Sequence, residues 1–335
     1  MSKIHQVAAQ AGVSIATVSH VVNNTRFVSE ETRKRVLAAM DEIGYQPNAL
    51  ARSLRRGETK TLGVILPDSS NPYFAEIGRG LELLAFKEGY SIILCNSEND
   101  AEIENQYAEV LSKKQVDGIF FVGTGERPET LLTLLQHNLP LVVMMRDFGA
   151  VQVDTVQSDN YQGGTLATRH LLDAGHTRIA CIMGPSNLTL SSQRMNAFKD
   201  TLTAAGITPD DSMILQGDFH AESACALTRQ LLKRPDPPTA IFACNDLMAI
   251  GVICAAAELG RRVPEDLAVV GFDNIQLGNF CVPRLTTVAQ PKEELVQTAT
   301  QYMLERIANH DLPPRKSVIP TNLIIRQSCG HPLPV

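Results

Sequence analysis

Residues 4–23 read IHQVAAQAGVSIATVSHVVN and indicate two short helices. Its apolar residues recur at helical spacing until Ala11, and Gly12 and Val13 interrupt the pattern before a second apolar stripe begins. Ser14 is suited to cap the second helix, because its hydroxyl can accept from backbone N–H groups of the first turn. With a third helix expected after Ser29, this pattern predicts a helix-turn-helix. The pattern alone fits a generic three-helix bundle equally well.

The polar face of the second helix favours a nucleic-acid-binding role. Thr17, His20 and Asn23, followed by Arg26, can hydrogen-bond base edges or phosphates. A helix of this length and polarity fits a DNA major groove.

A short basic segment follows at residues 45–57, YQPNALARSLRRG. Asn48 can cap and Gly57 can end a helix of about nine residues, a length that is marginal in water alone. Leu50 and Leu54 share one face of it. They are either ordinary packing residues or contacts with a second copy of the helix, with Leu54 as a wedge in the minor groove.

The charge of the chain is unevenly distributed. Nine basic and five acidic residues give the first sixty positions a charge of +4, and the total of −6 then leaves −10 on the remaining 275. This asymmetry indicates a basic module joined to an acidic one. No apolar run is long enough for a membrane helix, and the N-terminus has no apolar signal segment.

From residue 61 onward, short apolar runs alternate with helical stretches, which predicts a doubly wound parallel α/β fold. About 275 residues is long for one such sheet, so we expect two lobes. The expected strands are Leu62–Leu66, Ser91–Cys95, Gly118–Val122, Leu141–Met145, Arg178–Met183, Ala240–Cys244, Leu267–Phe272 and Leu285–Ala289.

No motif for catalysis or metal binding is recognisable in the sequence. It has no glycine-rich phosphate-binding fingerprint, no nucleophile elbow and no zinc-binding histidine pair. The seven cysteines are scattered, and we interpret them as buried, reduced cytosolic thiols without disulfide or metal. The protein is therefore expected to be a cytoplasmic non-enzyme without a cofactor.

Polar and aromatic residues follow the predicted strands, where ligands of open α/β sheets bind. Aromatic faces suit the C–H faces of a sugar, and amide, carboxylate and guanidinium groups suit its hydroxyls. Singly, each residue also fits loop solvation, an interlobe ion pair or helix capping; Asp246, for example, could cap a helix that starts at Leu247. The candidates are Asn71, Tyr73, Phe74, Arg146, Arg194, Phe219, Asn245, Asp273 and Gln290.

Residues 4–23 together with Pro47–Leu54 resemble the LacI/GalR family, and the resemblance extends over nearly the whole chain. Within the family, the sequence is most similar to the ribose-responsive branch, with the purine-responsive branch next. The resemblance implies a helix-turn-helix domain (1–46), a hinge helix and linker (47–60), and a periplasmic-binding-protein-like body of two Rossmann-like lobes (61–335). The body then divides into lobe 1 (about 61–160 and 291–322) and lobe 2 (about 161–290 and 323–330), with crossings near Asn160, Gln290 and Asn322.

The resemblance also implies residue roles and partners. The implied DNA contacts are Ser14, Ile15, Ala16, Thr17, His20, Asn23, Arg26, Asn48, Arg52, Leu54 and Arg55, and Ile15 and Ala16 can read bases only by apolar contact. The nine strand-end candidates become the effector site, although Met145 stands where pentose binders often have Asp. Leu188 and Leu190 replace the Arg and Thr of the purine-responsive branch.

The expected function is a homodimeric repressor of a palindromic operator, controlled by a small sugar-like effector, with ribose or a related pentose favoured. The alternatives are a corepressor-dependent repressor of the purine type and a sugar-binding transport protein. The transport protein would share the body but lack the basic head.

Overall fold

The computed structural model describes residues 3–23, 25–45, 58–122, 128–146, 148–149 and 151–330. The chain divides into two compact units, the first ending at Thr59 and the second beginning at Lys60. Among the described residues, no helix is both long and apolar enough to span a bilayer.

The described part of the first unit, the head, contains three helices, α1 (Lys3–Ala11), α2 (Ile15–Asn23) and α3 (Glu30–Ile43). Val7, Val18 and Val36 are fully buried where the helices meet. The Ser14 hydroxyl accepts from the Thr17 N–H at 3.1 Å, which caps α2 as predicted. The predicted helix-turn-helix is confirmed.

The second unit, the body, has two six-stranded sheets among its described residues. In the first sheet all strands are parallel, in the order β11-β5-β4-β3-β1-β2. The second has the order β12-β10-β9-β8-β6-β7, with only β12 antiparallel to its neighbour. The strands are β1 (Thr61–Leu66), β2 (Ser91–Asn96), β3 (Gly118–Phe121), β4 (Leu141–Met144), β5 (Asp154–Ser158), β6 (Ile179–Met183), β7 (Ile214–Gln216), β8 (Ala240–Ala243), β9 (Ala268–Asp273), β10 (Thr286–Ala289), β11 (Lys316–Ile319) and β12 (Asn322–Ile324).

Helices cover both sheets, and the buried, mostly apolar strands lie toward their centres, namely β1, β3, β4, β6, β8 and β9. The helices of the first sheet are α4 (Pro72–Lys87), α5 (Ala101–Lys113), α6 (Glu129–Gln136) and α11 (Lys292–Ala308), and those of the second are α7 (Asn160–Asp173), α8 (Thr189–Ala204), α9 (Ala221–Leu232) and α10 (Asp246–Glu258). Short 3-10 turns occupy Asp211–Met213 and Gln276–Asn279. The doubly wound, two-lobed fold class is confirmed, and four of the strands, β5, β7, β11 and β12, were not predicted.

The chain passes between the sheets three times. It leaves the first sheet after β5 and enters the second lobe at Asn160; it returns between Ala289 and Lys292, and it crosses again between Ile319 and Asn322. Each lobe is therefore built from discontinuous segments, and a cleft separates the two.

Two glycines of α7 bring this helix close to the wall of the cleft. A Cβ at Gly164 would lie 2.7 Å from the Arg194 carbonyl oxygen, and one at Gly163 would lie 2.5 Å from the Phe272 ring. Only residues without a side chain allow this approach, which places Asn160 beside Arg194.

The cysteines depart from expectation in two places. All seven are free thiols, and five are buried. Cys254 is exposed and Cys281 is half-buried, so the expectation that the cysteines are buried is wrong for these two. Cys254 lies on the solvent side of α10, where the apolar sequence around it gave no sign of exposure.

Candidate functional site

A cavity of about 440 Å³ lies in the cleft between the two lobes. It opens at the carboxyl ends of the strands, where ligands of α/β sheets bind. The structure brings all nine effector candidates together around it, namely Asn71, Tyr73, Phe74, Arg146, Arg194, Phe219, Asn245, Asp273 and Gln290.

Arg194 lies at the floor of the cavity on α8 and is nearly fully buried. Its Nε donates to Asn160 Oδ1 at 2.9 Å, and its Nη1 donates to the Cys244 carbonyl oxygen at 2.5 Å. The guanidinium stacks 3.6 Å from the centre of the Phe272 ring. Burial lowers the pKa of Arg194, while the neighbouring Asp273 raises it. The result is a cation of fixed orientation on the lobe 2 side.

A hydrogen-bonded chain crosses the cleft beside Arg194. The Tyr73 hydroxyl donates to Gln290 Oε1 at 2.9 Å, and Gln290 Nε2 donates to Asp273 Oδ1 at 2.7 Å. Asp273 Oδ1 also lies 4.0 Å from Arg194 Nη1. Burial raises the pKa of Asp273 to about 6, partly offset by Arg194 and Gln290. The chain joins lobe 1 at Tyr73 to lobe 2 at Asp273 through a residue of the second crossing.

Arg146 supplies a second buried guanidinium, on the lobe 1 side. Burial lowers its pKa to about 10, and the nearby Glu104 carboxylate raises it. Its position depends on Met145, whose φ of +61° turns the chain sharply at the end of β4.

Left-handed backbone conformations are concentrated at the cavity. Besides Met145, Phe219 (φ +70°) and Asp273 (φ +112°) adopt them, followed by Asn274 (φ +52°). Such conformations cost about 1–3 kcal/mol each for residues with side chains and persist where surrounding structure enforces them. The cavity is lined by five of the nine described non-glycine residues with positive φ, namely Glu98, Asn99, Met145, Phe219 and Asp273.

Two asparagines both cap helices and line the cavity. Asn71 Oδ1 accepts from the Tyr73 N–H at 3.0 Å, and Asn245 Oδ1 accepts from the Met248 N–H at 2.9 Å. Asn245 Nδ2 also donates to the Phe219 carbonyl oxygen at 2.9 Å, which fixes the loop that carries the Phe219 ring. Both asparagines therefore cap helices, as the alternative interpretation expected, and both also line the cavity.

The suggestion that Asp246 caps α10 is wrong, because Asn245 does so. Asp246 is instead fully buried beneath the cavity. Its Oδ1 accepts from Thr287 Oγ1 at 2.5 Å and its Oδ2 from the Ile275 N–H at 2.8 Å.

Sequence reasoning did not assign several other residues of the cavity wall. Asn160 was noticed only as a crossing point, although it follows β5 in the same way that the candidates follow their strands. The unassigned polar lining is Asp68, Glu98, Asn99, Ser158, Asn160, Asn187, Asp218 and His220. Leu188 and Leu190 also line the cavity.

The predicted DNA contacts that the structure describes lie on or beside α2. Ile15 is 39% exposed, and Ala16 and Arg26 are exposed. Ser14 Oγ lies 2.9 Å from Thr17 Oγ1, so this pair holds the first turn of the helix.

The other end of α2 is held by two further contacts. His20 Nδ1 lies 2.8 Å from Thr25 Oγ1, and Asn23 Nδ2 donates to the Ser19 carbonyl oxygen at 2.8 Å. Asn48, Arg52, Leu54 and Arg55 lie outside the described residues.

Comparisons with known proteins match both units. Residues 3–48 match the bacterial regulatory proteins of the lacI family, and residues 168–329 match the periplasmic binding protein-like domain. The HTH-type transcriptional repressor PurR of Photobacterium profundum is 41% identical over 98% of each chain.

Two solved structures extend the comparison. The lac repressor dimer bound to operator and the anti-inducer ONPF has a TM-score of 0.87 and 28% identity, over 96% of this chain and 97% of that one. A LacI family regulator from Enterococcus faecium with bound ribose has a TM-score of 0.74 and 31% identity, over 80% and 98%. The head, the two-lobed body and these similarities along the whole length show that the chain belongs to the LacI family of DNA-binding transcriptional repressors.

Proposed function

We propose that this repressor binds a palindromic operator as a homodimer and that a small, neutral, polyhydroxylated sugar in the interlobe cavity controls its affinity for DNA. The observation that carries the proposal is the convergence of nine predicted residues on one cavity, with the Tyr73–Gln290–Asp273 chain crossing between the lobes. The repressor would act in the cytoplasm, where its operator lies.

The lining of the cavity suits a sugar. Its volume of about 440 Å³ lies within the range of small-molecule sites, about 300–1,000 Å³. Phe74 and Phe219 can pack on C–H faces, while Arg194, Asn245 and Asp273 can satisfy hydroxyls. Each hydroxyl left unpaired would cost about 1–3 kcal/mol, so a dense polar lining selects a ligand rich in hydroxyls.

The charges of the lining favour a neutral ligand. Two guanidinium groups, Arg146 and Arg194, face four carboxyl groups, those of Asp68, Glu98, Asp218 and Asp273. Both guanidinium groups are buried and close to carboxylates of the protein itself. A phosphorylated sugar would add negative charge to a wall that is already acidic.

The relatives at about 41% identity are PurR repressors, which does not favour the ribose-responsive branch as the nearest one. The cavity itself argues for a pentose. Leu188 and Leu190 offer no hydrogen bonds to the edge of a purine, and the ribose-bound regulator from E. faecium shares this fold. The second candidate, a purine corepressor, rests on the similarity to PurR.

Control of DNA binding requires that the sugar bind two arrangements of the lobes with different affinity. Strand β1 begins at Thr61, directly after the proposed hinge and linker, and lies inside the first sheet between β3 and β2. A ligand that changes the lobe arrangement displaces the start of this strand in each subunit. In the dimer, the two hinge segments would then no longer pair on the operator, so the sugar acts as an inducer.

A thermal-shift screen with the full-length protein tests the effector. Ribose and related free sugars should raise the unfolding free energy by about 2.7 kcal/mol at about 100 times their Kd, whereas sugar phosphates and purines should not. The sugar that stabilises the protein should also release a fluorescent operator. Stabilisation by hypoxanthine or guanine with tighter operator binding would establish the corepressor instead.

The variant Arg194→Ala tests whether the effector binds in the cavity. Loss of the buried guanidinium should abolish the sugar-induced shift and the release of operator, while Arg178→Ala, at an exposed arginine of the same lobe, should retain both. A fully inducible Arg194→Ala protein would contradict the cavity assignment. Because Arg194→Ala removes one partner of the buried ion pair with Asp273, the unfolding free energies of both variants are first compared without sugar.

A further inference from the structure

Two cysteines and a glutamate meet in lobe 2 between α9 and α10. One possible ligand atom from each of Cys225, Cys254 and Glu258 lies within 4.8 Å of the other two. Cys225 on α9 is buried, and Cys254 and Glu258 are exposed on α10. None of them lines the interlobe cavity. In the described part of the chain, this is the single cluster of three such side chains.

Backbone packing sets the positions of these side chains. A Cβ at Gly251 would lie 2.1 Å from the Ala221 carbonyl oxygen, so α9 and α10 touch through their backbones one turn before the cluster. Cys254 and Glu258 are four residues apart, a spacing that places two side chains on one face of a helix. The third group, Cys225, faces them from α9.

We propose that Cys225, Cys254 and Glu258 bind a thiophilic divalent cation with a filled d shell, such as Zn²⁺, with the fourth position open to water. Two thiolates and one carboxylate form a ligand set that such ions accept. With metal–sulfur bonds of about 2.3 Å and metal–oxygen bonds of about 2.0–2.2 Å, tetrahedral ligands lie about 3.5–3.8 Å apart. Small rotations of the side chains reach that spacing from the one observed.

An arginine orients the carboxylate of this site. Arg229 donates from Nε at 2.8 Å and from Nη2 at 2.6 Å, both to Oε2 of Glu258. The other oxygen, Oε1, lies 3.8 Å from the Cys254 sulfur. One carboxylate oxygen is therefore held by the guanidinium, and the other faces the two sulfurs.

The charges balance when the cation is bound. Two thiolates, one carboxylate and one guanidinium sum to −2, which a divalent cation neutralises. Binding converts two thiols to two metal-bound thiolates and releases two protons, so no oxidant is required. The cluster therefore fits a metal in a compartment that keeps thiols reduced.

Titration of the reduced full-length protein with Cd²⁺ tests the proposal, because cadmium–thiolate bonds have a charge-transfer absorbance in the ultraviolet. We expect the band to saturate at one ion per chain and to disappear when Zn²⁺ is added in excess. Absence of the band, or a band that Zn²⁺ does not displace, would overturn the proposal.

Three cysteine variants test which thiols bind the cadmium ion that gives the absorbance band. Cys254→Ser, at an exposed position, and Cys225→Ser should each weaken binding by more than about tenfold, since loss of even an outer partner of a metal site costs about 10–100-fold. Cys281→Ser, at a half-buried cysteine outside the cluster, should bind as the parent does. Equal cadmium binding by Cys254→Ser and the parent would refute the site. It would also be refuted if the reduced protein took up no cadmium and Cys225 and Cys254 formed a disulfide instead.

Discussion

At the scale of single residues, Asp246 stands out because its pKa lies furthest from the ordinary value among the described carboxyl groups. It is fully buried under the cavity, and a Cβ at Gly271 would lie 2.3 Å from its Oδ1. Burial, and secondarily the charge of Asp273, raises the pKa of Asp246 to about 8, although Thr287 and the Ile275 N–H favour its ionised form. The folded protein thus holds a proton here that the unfolded chain releases near pH 4.

This gives a pH dependence with a definite sign. A carboxyl whose pKa is higher in the folded state destabilises the protein as pH rises, here from about 4 to about 8. Asp246→Asn keeps the shape, with its carbonyl oxygen accepting from Ile275 and its amide donating to Thr287. Between pH 6 and 8, the free energy of unfolding, measured by urea denaturation, should therefore fall less steeply in the variant than in the parent. The two slopes should differ by up to about 1.4 kcal/mol per pH unit.

Asp266→Asn is the matched control for that measurement. Arg262 lowers the pKa of the Asp266 carboxyl to about 2, so its contribution is present above about pH 4 and is lost only as pH falls toward 2. Its profile between pH 6 and 8 should parallel that of the parent. Parallel profiles for Asp246→Asn and the parent in that range would contradict the assignment to Asp246.

Single residues also mark where sequence reasoning reached its limit. Asp246 and Asn245 are adjacent and chemically alike, and only the backbone direction at the end of β8 decides that Asn245 caps the helix. In the same way, Cys225 and Cys254 are 29 positions apart, and their proximity depends on helix packing that no local spacing encodes.

At the scale of elements, the bounds of the apolar strands were predicted to within two residues, whereas the polar or short strands were missed. Strand β5 reads DTVQS, which has no apolar alternation, yet all five residues are buried between β4 and β11. The carboxylate of Asp154 is compensated by Arg306 and Arg315, each with Nη2 3.0 Å from Oδ2. Both partners come from the far end of the chain, so the sequence around β5 could not reveal them. Strands β7 and β12 contain three residues each, too few for any periodicity.

The hinge helix expected over residues 48–57 lies outside the described residues, and its role remains a prediction from sequence. Leu54→Ala should weaken specific operator binding by at least tenfold, about 1.4 kcal/mol, because the wedge in the minor groove is lost. Binding is measured by fluorescence anisotropy with a palindromic operator. The sugar-induced thermal shift should not change.

Leu37→Ala serves as the control for Leu54→Ala. Leu37 is 50% exposed on α3, outside the proposed reading helix and hinge. This variant should bind operator as the parent does. Equal operator affinity for the parent and Leu54→Ala would reject the wedge.

At the scale of the whole molecule, the charge of −6 separates into a basic head region and an acidic body. Residues 61–335 carry −10 and should repel DNA, which confines phosphate contacts to the first sixty residues. Each phosphate contact contributes about −0.9 to the slope of log affinity against log salt. The slope of operator affinity against salt concentration should therefore be set by the phosphate contacts of the head and hinge alone.

Two arginine variants test this separation. Arg26→Gln, at an exposed position after α2, should reduce the slope by about 1, as expected for one lost phosphate contact. Arg178→Gln, at an exposed position of lobe 2, should leave the slope unchanged. The slopes come from operator titrations at several salt concentrations, and a smaller slope for Arg178→Gln would show that the body also contacts DNA.

The three crossings between the lobes also determine the order in which the protein can fold during its synthesis. The head is complete once residue 59 has left the ribosome, whereas each sheet of the body receives an edge strand last, β11 in the first sheet and β12 in the second. A nascent chain that has reached residue 312 therefore still lacks the strands that pair with β5 and β10. Open sheet edges pair readily with other chains. The DNA-reading unit is thus finished more than 200 residues before the sensing unit closes, and residues 316–324 supply the strands that complete both sheets.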